Sequence, residues 1–190
     1  MHLPLSWWIS GPWLVFLLYW GLAALRVRPT KRSESPLSRL RYSVVWILAA
    51  FLLFSNRLRW GPLSWRFLPT GPAVYFAGVG LTMMGLGFAI WARYHLGPYW
   101  SGAVTIKQDH RLIRTGPYAL VRHPIYTGLL LAMLGTAVAI GELRGLLAVG
   151  LAFAGFFIKS QMEEKWLLQE FGTEYEQYRR EVKALIPFLY

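Results

Sequence analysis

Long stretches without a single charged side chain dominate this chain, and they limit its possible folds more than any other feature. No Lys, Arg, Asp or Glu occurs between residues 1 and 25. Further charge-free apolar runs cover 42–54, 72–92, 125–140 and 146–158. Runs of this kind are the signature of bilayer-spanning helices, which need about 20 apolar residues each. A composition that is 55% hydrophobic with ten Trp does not suit an ordinary soluble domain. A secretory signal would start with positive charge ahead of a short apolar core. Here Arg26 follows the apolar run, an order that fits an uncleaved first helix with its N-terminus facing away from the cytoplasm.

The expected spans are 5–25, 42–54, 72–92, 125–140 and 146–158. The last two are short and separated by Gly141-Glu142-Leu143-Arg144-Gly145. So tight a connection predicts a helical hairpin that is tilted, or packed where the bilayer is thin. Gly128, Ala132, Gly135 and Ala139 on one arm, with Gly150 and Ala154 on the other, allow close backbone approach. The fold class expected is therefore all-α: a polytopic membrane protein with about five transmembrane helices and a cytoplasmic C-terminal helical region.

Five crossings with the N-terminus outside put the stretches 26–41, 93–124 and 159–190 in the cytoplasm. These hold sixteen of the twenty Lys and Arg, whereas Arg57, Arg59, Arg66 and Arg144 stay outside. That bias obeys the positive-inside rule, and the reverse orientation would invert it. The same rule accounts for the net charge of +11. The basic residues lie between apolar segments rather than on one compact face, which argues against nucleic acid as a partner. With no Cys, the chain has no disulfide framework, thiol nucleophile or thiolate metal site, and no metal is expected.

Beyond residue 158 the character changes, since six of the nine acids lie there. Leu167, Phe171, Tyr175, Tyr178 and Val182 recur three or four residues apart, an amphipathic helical stripe. Gly172 is expected to end one helix, and Thr173 with Glu176 to form a capping box for the next. This tail should lie on the cytoplasmic face and cover something.

Polar side chains concentrate at 110–126 and again at 159–164. A helix up and a helix back returns Glu163 and Glu164 to the level of Arg122, His123 and Tyr126, so that basic, imidazole, phenol and carboxylate groups converge. Thr115-Gly116-Pro117-Tyr118 is turn chemistry. His123-Pro124 forces an extended residue before a helix start, where free N–H groups could receive a carboxylate. Each residue also has a plainer reading. Arg114 and Arg122 could be charge anchors, Tyr118 and Tyr126 members of an interfacial aromatic belt, His123 structural, and one of the two glutamates a solvated face.

RTGPYALVRHPIYTG at 114–128, the paired glutamates in KSQMEEKWLL at 159–168, and FGTEYEQYRREVKALIP at 171–187 occur in order with matching gaps. Together they resemble the isoprenylcysteine carboxyl methyltransferase family and its phospholipid methyltransferase relatives, over about 93–187. Arg93, Leu96-Gly97 and Trp100-Ser101 fit the family's lead-in. The resemblance implies an integral membrane methyltransferase using S-adenosyl-L-methionine, with S-adenosyl-L-homocysteine as product, in a cytoplasmic-side pocket without a Rossmann fold. It implies cofactor contacts from Lys107, His110, Arg111, Leu112, Ile113, Tyr118, His123, Pro124, Ile125, Tyr126, Glu163 and Glu164. Catalytic roles are implied for Lys159, Arg122 and Glu163.

The implied partners are the lipid bilayer and a lipid-like or prenylated methyl acceptor, with isoprenylcysteine carboxyl O-methylation as the reaction type. Where eukaryotic members place a substrate-contacting Arg, this chain has Lys159, which keeps the charge without the bidentate fork. The chain would then divide into a three-helix membrane region, 1–92, and a catalytic region, 93–190, within one integrated domain. Two other readings stay in view. A sterol-type NAD(P)H-dependent reductase shares an Arg-His-Pro-x-Tyr segment, but the paired glutamates followed by FGTEY favour the methyltransferase. A non-catalytic lipid-binding scaffold would tolerate alanine at His123, Tyr126 and Glu163.

Overall fold

A computed structural model of the chain describes residues 6–55, 57, 60–108 and 111–186. Six α-helices carry the fold: α1 (Ser6–Ala24), α2 (Pro36–Phe54), α3 (Pro72–Leu96), α4 (Pro124–Ile140), α5 (Leu143–Phe171) and α6 (Thr173–Glu181). Two short strands, β1 (Thr30–Ser33) and β2 (Thr105–Lys107), pair antiparallel. Among the described residues four helices, α1, α2, α3 and α5, are long and apolar enough to cross a membrane, and α4 is a shorter apolar helix. The protein is an integral, multi-pass membrane protein.

Helix starts follow local chemistry. The Ser35 hydroxyl accepts from the Ser38 N–H at 3.2 Å, and Pro36 occupies the first turn, where its missing N–H costs nothing. This cap starts α2 six residues before the apolar run, so Arg39 and Arg41 are helical and exposed. Pro72 and Pro124 start α3 and α4 in the same way.

The hairpin of α4 and α5 is present, and its turn is tighter than expected. Gly141 adopts φ +68° and the chain re-enters helix at Leu143. A Cβ at Gly141 would meet only the flexible end of Arg66, at 2.5 Å, so it is the left-handed conformation that favours glycine here. The outgoing arm is not short. Helix α5 runs unbroken for 29 residues, past the end of its apolar run to Phe171. At 1.5 Å per residue it is about 44 Å long, against about 26 Å for α4, so its charged third emerges beside the start of α4.

The small-residue stripe of α4 has a different partner from the hairpin's other arm. Gly128, Ala132, Gly135 and Ala139 face α3, whose own stripe is Gly78, Thr82, Gly85 and Ala89. A Cβ at Gly85 would lie 2.3 Å from the Ala132 nitrogen, and one at Gly135 2.3 Å from the Thr82 nitrogen. Nothing lies within 4 Å of a Cβ at Gly150. Thr82 and Thr136 share a hydroxyl contact of 3.2 Å inside this seam, and Trp13 of α1 donates to Thr136 at 3.0 Å. Backbones this close maximise dispersion, which replaces the hydrophobic drive that lipid does not supply.

At the hairpin end, buried Arg144 donates to Glu142 at 2.7 Å and to the carbonyls of Leu52, Leu53 and Ser55 at 2.9, 3.3 and 2.9 Å. It thereby satisfies the last carbonyls of α2. At the opposite end the tail folds back. Gly172 separates α5 from α6 as expected, but no side-chain cap bond forms at Thr173, because Gly172 itself is the capping residue. Tyr175 and Tyr178 are buried, as their place in the apolar stripe requires. The β1–β2 pair lies outside the helical reading of the polar stretches and joins the segments on either side of it.

Candidate active site

The segment after α6 crosses the start of α4. Arg122 and His123 donate their backbone N–H groups to the carbonyls of Lys183 and Ala184 at 2.8 and 3.0 Å, and the Thr127 hydroxyl donates to Leu185 at 2.6 Å. This corrects the expectation of free N–H groups in the extended approach to α4. The tail takes the two at 122 and 123, and Pro124 has none.

Five side chains, His123 among them, meet where α5 passes the start of α4. His123 Nε2 is 3.1 Å from Glu164 Oε1, and its Nδ1 is 3.5 Å from Glu163 Oε2. Tyr126 donates its phenol to Glu163 at 2.5 Å, its ring stacked on His123 with centroids 5.4 Å apart. Lys159 Nζ lies 3.8 Å from Glu163 and donates to the Gly102 carbonyl at 2.8 Å. The same ammonium sits over the rings of Tyr42, Trp46 and Tyr126 at 5.4, 5.1 and 5.4 Å. Burial alone would lower the His123 pKa, but hydrogen bonds and charge from Glu163 and Glu164 outweigh it and raise it. The imidazolium is thereby favoured. Burial likewise raises the phenol pKa values of Tyr118 and Tyr178, the latter donating to the Tyr118 carbonyl at 2.5 Å.

The paired glutamates divide their work. The Glu164 side chain is 4% exposed against 21% for Glu163, and only Glu163 lines the adjoining cavity. Glu164 accepts from Arg122 Nε at 2.9 Å and Nη2 at 2.7 Å, and pairs with Arg179 at 3.2 Å. Arg122 Nη1 also donates to the carbonyls of Arg179 and Val182. Glu164 and Arg122 therefore bind the tail and the start of α4 to α5. Arg122 is held by these contacts and also reaches the cavity wall.

The cavity holds about 330 Å³, within the range of small-molecule sites. Its polar end presents His123, Lys159, Glu163, Tyr118 and Tyr126, with Arg111, Leu112, Ile113, Pro124 and Ile125 also on its wall. His110 lies outside the described residues, as does the side chain of Lys107. Phe16, Leu17 and Trp20 of α1 form an apolar part of the wall, while Trp46 and Phe156 line it beside Lys159 and Tyr126. Leu17 is 59% exposed on the outer side of α1, so the part formed by α1 reaches the lipid-facing surface. Segment 99–106 and part of the N-terminal helices complete the wall. Of these, motif reading singled out only Trp100-Ser101, and the N-terminal helices lie before the motifs begin near Arg93. Glu34, the one acid in the basic stretch 26–41, was the available sign that this region turns inward.

Fold and site together define a helical, multi-pass membrane protein. It has an ion-paired cavity at one end of its bundle and a greasy approach from the lipid side. A sequence model described as phospholipid methyltransferase (PEMT) matches residues 73–174. The chain belongs to this phospholipid methyltransferase family. It is 34% identical over 116 residues to the protein-S-isoprenylcysteine O-methyltransferase of Schizosaccharomyces pombe, covering 60% of this chain and 49% of the relative. It is 42% identical over 74 residues to methanethiol S-methyltransferase 2 of Bradyrhizobium diazoefficiens, covering 38% and 27%. The chain spans about half the length of the curated isoprenylcysteine relatives it matches, 49% and 44% of the first two. Its fold is that of the eukaryotic intramembrane Ras methyltransferase (isoprenylcysteine carboxyl methyltransferase). The TM-score is 0.62 at 22% identity, over 100% of this chain and 70% of that one.

Proposed function

We propose that this chain is an integral membrane methyltransferase that moves a methyl group from S-adenosylmethionine to the carboxylate of a prenylated cysteine. One observation carries the reading: a single cavity joins an ion-paired end, His123, Lys159 and Glu163, to an aromatic end that reaches the lipid-facing surface. The family membership and the named isoprenylcysteine O-methyltransferase relative support it.

The donor set fits the cofactor. Glu163 is the anion for its ammonium group, protonated His123 the cation for its carboxylate, and the faces of Tyr118 and Tyr126 suit a sulfonium. Arg111, Leu112, Ile113, Pro124 and Ile125 would complete the wall around it. When bound, S-adenosylmethionine supplies a methyl carbon activated by its cationic sulfur. The remaining work falls to the chain. Lys159 receives the acceptor carboxylate and aims an oxygen at that carbon, and the aromatic walls hold the prenyl chain. The buried side chains around the ionic end limit access of water, and alignment supplies most of the acceleration. A carboxylate is already ionised at neutral pH, and no side chain has to act as its base.

The positive-inside bias of sixteen of twenty Lys and Arg supports a cytoplasmic site, with the N-terminus outside. The chain has no Cys, so single cysteines report topology. Thr173→Cys should react with an impermeant thiol reagent from the cytoplasmic side and Ser64→Cys from the outside. The reverse pattern would overturn the orientation.

Titration calorimetry with S-adenosylhomocysteine should give binding to wild type and none to His123→Ala or Glu163→Ala. Labelled-methyl transfer should follow with N-acetyl-S-farnesylcysteine, not with phosphatidylethanolamine or methanethiol. Folded wild type that binds NADPH and not S-adenosylhomocysteine would sink the assignment. Transfer to methanethiol alone would move the acceptor to the thiol class.

A further inference from the structure

The cavity wall is held shut from outside the family-matched segment. Glu34, between β1 and α2, is buried with both carboxylate oxygens engaged. Its Oε1 accepts from the Tyr42 hydroxyl and from the Val104 N–H at 2.9 Å, and its Oε2 accepts from Ser38 at 2.8 Å. Its own N–H donates to the Val104 carbonyl at 3.0 Å. Val104 belongs to segment 99–106 of the cavity wall, whose Gly102 carbonyl receives the Lys159 ammonium. The Tyr42 ring lies under that same ammonium. Glu34 thus touches both things that fix Lys159: the strap carrying its carbonyl partner and the phenol beneath it.

We infer that Glu34 is a positioning residue for acceptor binding, setting the place and charge balance of Lys159 through Tyr42 and the strap at 102–104. The physical argument has two parts. A phenol donating to a carboxylate is polarised toward phenolate, so its ring face attracts a cation more strongly. In addition, Lys159 has three donors, of which one goes to Gly102 while Glu163 stands off at 3.8 Å. An anionic ligand meeting this ammonium gains most when the cation is held still, since less freedom is lost on binding. Glu34 and Tyr42 fall outside the residues 73–174 that the family model matches.

The inference rests on the proposed acceptor class, and the experiment separates the two. Calorimetry measures binding of N-acetyl-S-farnesylcysteine and of its neutral methyl ester to wild type, Glu34→Gln, Lys159→Ala and the double variant, with S-adenosylhomocysteine present. Glu34→Gln keeps an acceptor for Tyr42 and Val104 while removing the charge. Wild type should prefer the acid to the ester. Glu34→Gln should reduce that preference about fivefold, leave the ester and S-adenosylhomocysteine constants within twofold, and have no further effect in the Lys159→Ala background. A preference unchanged in Glu34→Gln, or equally reduced on top of Lys159→Ala, overturns the positioning role and leaves the methyltransferase reading standing. Wild type that binds S-adenosylhomocysteine and neither farnesyl compound removes the acceptor class, and the inference with it. Loss of all binding together in Glu34→Gln would show a purely structural residue. Tyr42→Phe then serves as the second variant: it keeps the ring and should lower the acid preference alone.

Discussion

Removal of the Glu164 carboxylate tests how the site is held together. The buried carboxylate faces three cations, and two of them, Arg122 and His123, have side chains only 9% and 6% exposed. Glu164→Ala would leave both without their closest opposite charge. Breaking a buried pair in this way costs about 3–5 kcal/mol, most of it the penalty of an uncompensated charge. Arg179 is 44% exposed, so its share is screened by solvent and adds little. For a chain of this size about 1 kcal/mol moves the unfolding midpoint by about 2–4 °C, and the expected fall in detergent is about 10 °C. Glu164→Gln keeps the shape and one acceptor oxygen, and should cost less than half as much. The loss should be local first. Arg122 holds the Val182 and Arg179 carbonyls, so limited proteolysis beyond residue 180 should accelerate before the bundle melts. A Glu164→Ala midpoint within about 2 °C of wild type, with an unchanged cleavage pattern, would refute the reasoning.

Three further outcomes follow from the same contacts. The raised His123 pKa gives stability that is full below its unfolded value of about 6.5 and is lost as pH rises through the folded value. Wild type should therefore lose midpoint as pH climbs above about 6.5, and His123→Gln should flatten that slope in a thermal series. Arg144→Ala removes the cation capping the last carbonyls of α2 and takes from buried Glu142 the guanidinium 2.7 Å away. It should destabilise by about 3–5 kcal/mol in thermal unfolding, while the fraction still folded binds S-adenosylhomocysteine normally. Gly85→Leu forces α3 and α4 apart where a Cβ alone would sit 2.3 Å from a backbone nitrogen, and the bundle should fail to extract as a monodisperse species.

The parts of this architecture legible in the sequence are those set by local rules. Charge-free runs located the helices, Pro72 and Pro124 marked the starts of α3 and α4, and the short connection after Ile140 had to return the chain alongside itself. Hairpin geometry then brings the carboxylates at 163 and 164 to the imidazole at 123. What stayed hidden depends on partners distant in sequence. The charges after residue 158 looked like an end to the membrane helix, whereas α5 continues because Glu163 and Glu164 find partners at the start of α4 and in the tail, Lys159 at the Gly102 carbonyl and Glu170 at Lys31. The α4 stripe of small residues could not name its neighbour, and α3 carries the matching one seven residues at a time. The roles of the paired glutamates could not be separated either, since only the burial difference shows which one lines the cavity.

The arrangement of the helices separates the ionic groups from the exposed apolar part of the cavity wall. Helices α3 and α4 touch at backbone distance, which leaves α4 no room to shift, and α4 begins with His123, Pro124 and Tyr126. Helix α5 is tied to that start by Glu163 and Glu164. The ionic groups are thus carried by the most tightly packed pair and its clasp. Helix α1 by contrast buries little of its surface and contributes Phe16, Leu17 and Trp20 to the apolar end of the cavity. A wall made from a loosely held helix can part to admit a long apolar chain without disturbing the groups that must stay aligned to within about 1 Å. The strap clamped by Glu34 lies between these two regimes, fixed to α2 on one side and to Lys159 on the other. Tight packing around the ionic groups and light packing along the apolar wall is the division that the proposed transfer to a lipid-borne acceptor would require.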